Sequence, residues 1–197
     1  MAVDIAEVKR LKDLTGVGLT DAKKALEEAG DFDKALAAMR KKGLTKADKR
    51  GEKEAREGVI GTYNHDGRIG VLVEVNCETD FVARGEIFGA LVKDVAMHIA
   101  ASNPEYVSSE SIPAADHDKM KKEFTEKTKA EGKPADMVDK IVEGQLKKYF
   151  AERCLLDQPY VKNPDITVGD HVKQNAALMN ENVVVRRFNR IALGEVA

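Results

Sequence analysis

The residues in this chain whose types could do chemistry are two cysteines, four histidines and a short acidic-aromatic segment, NCETDFVAR, at positions 76–84. Cys77 is followed by Glu78, Thr79 and Asp80, and the histidines stand at 65, 98, 117 and 171. A nucleophilic thiol needs a base within hydrogen-bond reach, and linear order brings none of these together. Cys77 continues an apolar alternating run, so it reads as a small apolar residue at a strand end. His98 lies in an apolar helical stretch, where a hydrogen-bonded packing role is expected. The spacing of Cys77 and Cys154 fits no zinc pattern. No HExxH, phosphate loop, dinucleotide fingerprint or calcium loop is present, so neither bond-making chemistry nor a cofactor or metal is expected. Phe81 has two readings. Between Asp80 and Arg84 it can fold back as a core plug, which the pattern by itself favours, or stand out as an aromatic anchor for a partner.

The elements that must position this segment follow from periodicity. Ile5, Val8, Leu11 and Leu14 mark one side of a helix, stopped by Thr15-Gly16-Val17-Gly18. Leu19, Ala22, Leu26 and Ala29 mark a second, with Asp21 in its first turn and Gly30 at its end. Asp31 caps a third, striped by Phe32, Ala35, Leu36 and Met39 and ended by Gly43. Residues 44–57 hold one large apolar residue, overlap a local basic excess over 40–56, and read as a solvated helix or a charged linker, where the first domain boundary belongs. Without interleaved aromatics they do not read as a nucleic-acid patch. The period then changes. Residues 59–63 and 69–75 are β-rich runs around Asp66-Gly67, a hairpin-turn signal. After the 77–84 loop comes a helix bearing Phe88, Leu91, Val92, Val95 and Ile99, ended by Asn103-Pro104. A charged helix over 114–131 follows, then one after Pro134 striped by Met137, Ile141, Val142, Tyr149 and Phe150. The tail offers an extended run near Tyr160, a short helix over 168–174 and a strand over 182–188. The class is α+β: a helical head, a linker, and a core in which a small antiparallel sheet packs on helices.

At 197 residues the chain is long enough for a real core; 43% of it is hydrophobic, 34% is charged, and the net charge is −2. Near-neutrality gives no whole-surface attraction to nucleic acid or anionic lipid. The start MAVDIAEVKR, with early acids and no apolar run behind it, predicts no signal peptide, and no stretch approaches bilayer-spanning length. A reduced, cytosolic protein is expected.

The segment at 76–84, following an alternating strand, resembles the signature of the elongation factor Ts family. LTGVGLTDAKKAL at 14–26 looks like that family's N-terminal motif. Further matches are GTYNH at 61–65, MHIAASNP at 97–104, EGKP at 131–134, VEG at 142–144 and QPYV at 158–161. The resemblance covers nearly the whole chain and implies its short form with a single core module. It implies a three-helix, ubiquitin-associated-like head at 1–43, a linker at 44–57 and a core, dimerisation domain at 58–197. It also implies guanine nucleotide exchange on the GTPase elongation factor Tu, with Thr79, Asp80, Phe81 and Val82 disturbing the partner's magnesium site. His65 on the hairpin, and Val17, Leu19, Thr20 and Lys23 of the head, would make secondary contacts. Short forms of the family pair, so a homodimer through the core is expected, with the 183–185 strand adding to its mate; Asn189, in place of a cysteine, makes it non-covalent. The alternative from a different class is a helical protein-binding adaptor working through the head alone. RNA binding through residues 40–56 with Arg186-Arg187, and thiol chemistry at Cys77, rank below it.

Overall fold

A computed structural model describes the backbone of residues 4–195 and the side chains of these except 44–49, 135 and 136. The first three residues, on which the expectation of no signal peptide partly rests, lie outside the described residues. So do the last two of the expected core unit and the side chains of the first part of the expected linker.

Three helices open the chain: α1 (Ile5–Thr15), α2 (Leu19–Ala29) and α3 (Phe32–Arg50). Asp4 caps α1 by accepting from the Ala6 N–H (2.9 Å), and Asp31 accepts from the Lys34 N–H (2.9 Å) at the start of α3. Val8, Leu11, Ala22, Leu26, Ala35 and Met39 make the small core of this unit. Ile5, Leu14 and Leu19, expected on the same stripes, are exposed at the helix ends, where the three-helix core has run out. The expected stop at Gly43 is corrected: α3 continues to Arg50. A glycine in a helix interior costs only about 1 kcal/mol relative to alanine, and here α3 packs on a later helix, α8 (Val168–Met179). A Cβ at position 43 would stand 3.4 Å from Ala177 Cβ. The first half of the 44–57 segment is therefore helix, one of the two readings its sequence allows, and the rest is the connection to the core.

The hairpin forms as expected, β1 (Glu57–His65) against β2 (Ile69–Cys77). Asp66 and Gly67 both have positive φ (51° and 67°), the geometry a two-residue turn requires. A last strand, β5 (Val184–Ala192), joins β2 antiparallel and gives the order β1-β2-β5. It starts later and runs further than the sequence suggests, because β2 offers partners down to Ile69. Val71, Val73 and Val75 point to one face and bury against α5 (Glu86–Ser102), whose Phe88, Leu91, Val92, Val95 and Ile99 all lie in the core. This is the alternation of a sheet covered on one side. A single turn of helix, α4 (Asp80–Ala83), joins β2 to α5 and lies against β1 and β2.

Between α5 and α8 the chain makes a helical hairpin, α6 (Ala114–Ala130) and α7 (Ala135–Ala151), and a short ribbon, β3 (Pro159–Tyr160) with β4 (Asn163–Thr167). The hairpin has its own apolar cluster, in which Val138, Val142, Leu146 and Phe150 form the buried stripe of α7. Met137, expected there, is exposed. The true stripe steps by four residues from Val138, and Met137 lies a hundred degrees off it. The helix α8, expected to end at 174, runs to Met179 because Ala176 stays buried on the core, and Asn180 in the left-handed region (φ 54°) closes it. Among the described residues, no helix is long and apolar enough to cross a membrane.

Candidate functional site

The segment that follows β2 is built from its backbone outward. Thr79, extended at φ −129°, caps α4, and its Oγ1 accepts from the Val82 N–H (3.4 Å). Asp80 sits in the first turn, where a carboxylate faces the free N–H groups, and pairs with Arg84 one turn on (3.1 Å). Val82 and Ala83 turn inward and pack on the main core. With the inner side occupied by these two, Phe81 has nowhere to go but out, and it is 83% exposed. The core-plug reading that the pattern favours is thereby corrected: Phe88, fully buried, is the residue that fills the core here. Phe81 overhangs a groove lined by Val82, Ile87, Phe88 and Met179. An exposed aromatic of this size on an ordered turn is the residue type on which interface energy concentrates.

The base of the turn is tied to distant parts of the chain. Thr79 Oγ1 donates to Glu181 Oε1 (2.6 Å), and the N–H groups of Glu78 and Thr79 donate to Glu181 Oε2 (3.1 and 3.2 Å). The Glu78 carboxylate accepts from Arg50 Nε and Nη2 (3.0 and 3.2 Å) at the end of α3, and from the Asn182 N–H (2.6 Å). The Arg50 hydrogen bond holds the Glu78 carboxyl below its ordinary value. Asn182 Nδ2 donates to the carbonyls of Gly51 and Lys53 (3.3 and 2.6 Å), and Arg186 Nη2 donates to that of Ala55 (3.3 Å). The connection between α3 and β1 is thus fastened to the core along its length.

In the head, Gly16 closes α1 at φ 67° and backs onto α8: a Cβ there would lie 2.7 Å from the Leu178 carbonyl oxygen. Only glycine meets both demands. Of the head's expected contact residues, Val17 packs on the three-helix core. Leu19 is 51% exposed, so closing that core is not its role. Thr20 is exposed beside it, and Lys23 faces solvent with Glu27 at 3.8 Å. His65 accompanies Tyr63, whose hydroxyl lies 3.2 Å from its Nδ1. The turn that His65 precedes is at the far end of the hairpin from Cys77, because Glu57 and not His65 pairs with Cys77. Eight strand steps separate the two ends, about 26 Å. The structure therefore gathers Thr79 to Val82 on one turn and keeps His65 well away from it.

A model of the family described as Elongation factor TS matches residues 22–195. The chain belongs to the elongation factor Ts family. It is 50% identical to the elongation factor Ts of Geobacter sp. (strain M21), over 99% of this chain and 91% of that protein. It is 47% identical to that of Thermodesulfovibrio yellowstonii, over 99% of this chain and 98% of the relative. As a member of the elongation factor Ts family the chain is a translation elongation factor.

Both thiols and the His98 imidazole in this elongation factor have structural surroundings. Cys77 is buried, its Sγ donates to the Thr79 carbonyl (3.2 Å), and burial pushes its pKa up. Burial likewise raises Cys154 to about 11. His98 Nδ1 accepts from the Val161 N–H (3.2 Å), which leaves Nε2 to donate to Gln158 Oε1 (2.9 Å), the expected packing role. Among the described residues no three His, Cys, Asp or Glu side chains converge as a metal site would. Glu181, Asn182 and Arg50 are the residues around the Phe81 turn that sequence reasoning missed. They lie up to 131 positions from their partners, and no local pattern marks them.

Proposed function

We propose that this chain is the guanine nucleotide exchange factor of elongation factor Tu, acting in the cytoplasm without cofactor, nucleic acid or membrane. It binds the GDP form of the GTPase, and Phe81 wedges between helices of the GTPase domain near the magnesium ion. Asp80 anchors the turn, and Thr79 and Val82 complete the contact. The displaced helix moves the groups that support magnesium, the phosphates lose their counter-charge, and GDP leaves so that GTP can bind. No bond is made or broken. The exchange factor must prefer the nucleotide-free partner, because only differential affinity shifts an equilibrium. GDP must then weaken its binding by the same factor.

One observation carries this reading: the largest side chain of the turn, Phe81, is held out to solvent on a turn whose base is fully hydrogen-bonded. The head would grip the same partner through Val17, Leu19, Thr20 and Lys23; Leu19's exposure supports this. His65 would make a separate contact, at the hairpin end. In this division of labour 1–43 is the gripping head, 44–57 the connection and 58–197 the core.

The core also pairs, in this reading, as a homodimer. Support comes from the outer face of the sheet, where Ile60, Leu72 and Ile191 are 58%, 53% and 71% exposed, and from β5 standing at the sheet edge. The deciding experiment is release of fluorescent GDP from elongation factor Tu with and without this chain. Acceleration at substoichiometric amounts is expected. Binding without acceleration would point to the adaptor alternative.

A further inference from the structure

The turn that carries Phe81 is four residues long, far too short to hold a direction by its own hydrogen bonds. Val82 and Ala83 pack its inner side on the core, and the hydrogen bonds that hold its base come from the far end of the chain. Glu181 is 8% exposed, yet it is a carboxylate. A buried carboxylate is costly unless its oxygens are bonded, and here both oxygens receive donors from the two residues that lead into the turn. Reciprocally, the N–H groups of Glu78 and Thr79 need an acceptor at the point where β2 ends, and Glu181 supplies it. An apolar residue of the same size would leave both unpaired.

Glu181 is itself held. It follows the left-handed Asn180, and its own N–H donates to the Ala176 carbonyl (3.2 Å). Its neighbour Asn182 donates to Glu78 and to the α3–β1 connection. Three residues earlier, the Leu178 carbonyl is the surface against which Gly16 of the head lies. Residues 178–182 thus touch the head's glycine turn, its connection to the core and the base of the Phe81 turn.

We propose that Glu181 is a positioning residue for nucleotide exchange: it orients the turn that presents Phe81 and sets that turn at a fixed place relative to the head. The proposal depends on the exchange-factor reading above. The experiment is release of fluorescent GDP from elongation factor Tu by the full chain, over a range of exchange-factor concentrations. The variants are Glu181→Ala, Glu181→Gln, Phe81→Ala and the Phe81→Ala/Glu181→Ala double variant. Glu181→Ala is expected to slow exchange at limiting concentration about tenfold, the size of one hydrogen bond to a charged group. Glu181→Gln keeps one oxygen for the two N–H groups and should lose only about threefold. In the Phe81→Ala background the Glu181→Ala change should add less than about twofold, because Glu181 acts through Phe81.

A full tenfold loss in both backgrounds would overturn the proposal, since it would mean that Glu181 acts on something else. So would normal exchange by Glu181→Ala when Phe81→Ala is slow. Normal exchange by Phe81→Ala would instead overturn the exchange-factor reading, and this proposal with it. Where Glu181→Ala does not fold, Glu181→Gln carries the same cycle. A readout that needs no partner is amide exchange in the free chain. The Glu78 and Thr79 amides should exchange roughly tenfold faster in Glu181→Ala, which removes their acceptor, while those of α5 keep their protection. Unchanged protection at these two amides would refute the proposal.

Discussion

Phe81→Ala should separate folding from function, because the side chain it removes is exposed and lies outside the core. Phe81 is 83% exposed and takes no part in the apolar clusters. Truncating it should leave stability within about 0.5 kcal/mol, the range of ordinary surface changes. Because so little of it is buried in the free chain, nearly all its burial is available to a partner. A phenylalanine buries about 150–250 Å², and at about 25 cal/mol per Å² that is roughly 4–6 kcal/mol gross. Alanine keeps the Cβ and lets the partner relax around the gap, so the measured cost should fall near 2–4 kcal/mol. That is a loss of about thirtyfold to nearly a thousandfold. The assay is stopped-flow release of fluorescent GDP from elongation factor Tu, with thermal melting of the variant as the control. A variant that melts like the wild type and still exchanges GDP at the normal rate refutes the wedge.

Three other outcomes are open to test. The Glu78 carboxyl is depressed chiefly by its hydrogen bond to Arg50, so its charged form stabilises the fold. That contribution is complete above the ordinary value of 4.5 and is lost as pH falls through the lower folded value. Below about pH 4.5 the wild type should lose stability more steeply than Glu78→Gln, as read by denaturant melts at a series of pH values; parallel slopes would contradict the pairing. Leu72→Asp places a charge on the exposed face of the sheet, opposite Asn189 of β5. It should convert a two-chain mass by light scattering to one chain at micromolar concentration, and a wild-type mass of one chain removes the dimer altogether. Cys77 and Cys154 are both fully buried with raised thiol pKa values. Neither should react with a thiol reagent at pH 8 until the chain is unfolded, and rapid labelling with loss of exchange would reopen the thiol reading.

The elements were legible wherever one period ran unbroken through a segment. The α5 stripe from Phe88 to Ile99, the Asp66-Gly67 hairpin and the caps at Asp31 and Asn103 each depend on residues a few positions apart, and each is where periodicity puts it. Boundaries failed where packing outweighed local preference. The helix α3 passes through Gly43 because α8 supports it, and β5 runs to Ala192 because β2 supplies partners that far.

The candidate site divides the same way. The sequence by itself determined the identity of the NCETDFVAR segment and the family to which it points, because a motif is a property of order. It did not determine the direction of Phe81. Asp80 and Arg84 flank it whether it turns in or out, and only the packing of Val82, Ala83 and Phe88 on the core leaves it facing solvent. Nor did it reveal Glu181, which meets Thr79 across 102 positions. Tertiary structure decided both, since a buried carboxylate is stable only where folding delivers its donors, and no periodicity records which distant backbone N–H groups those are.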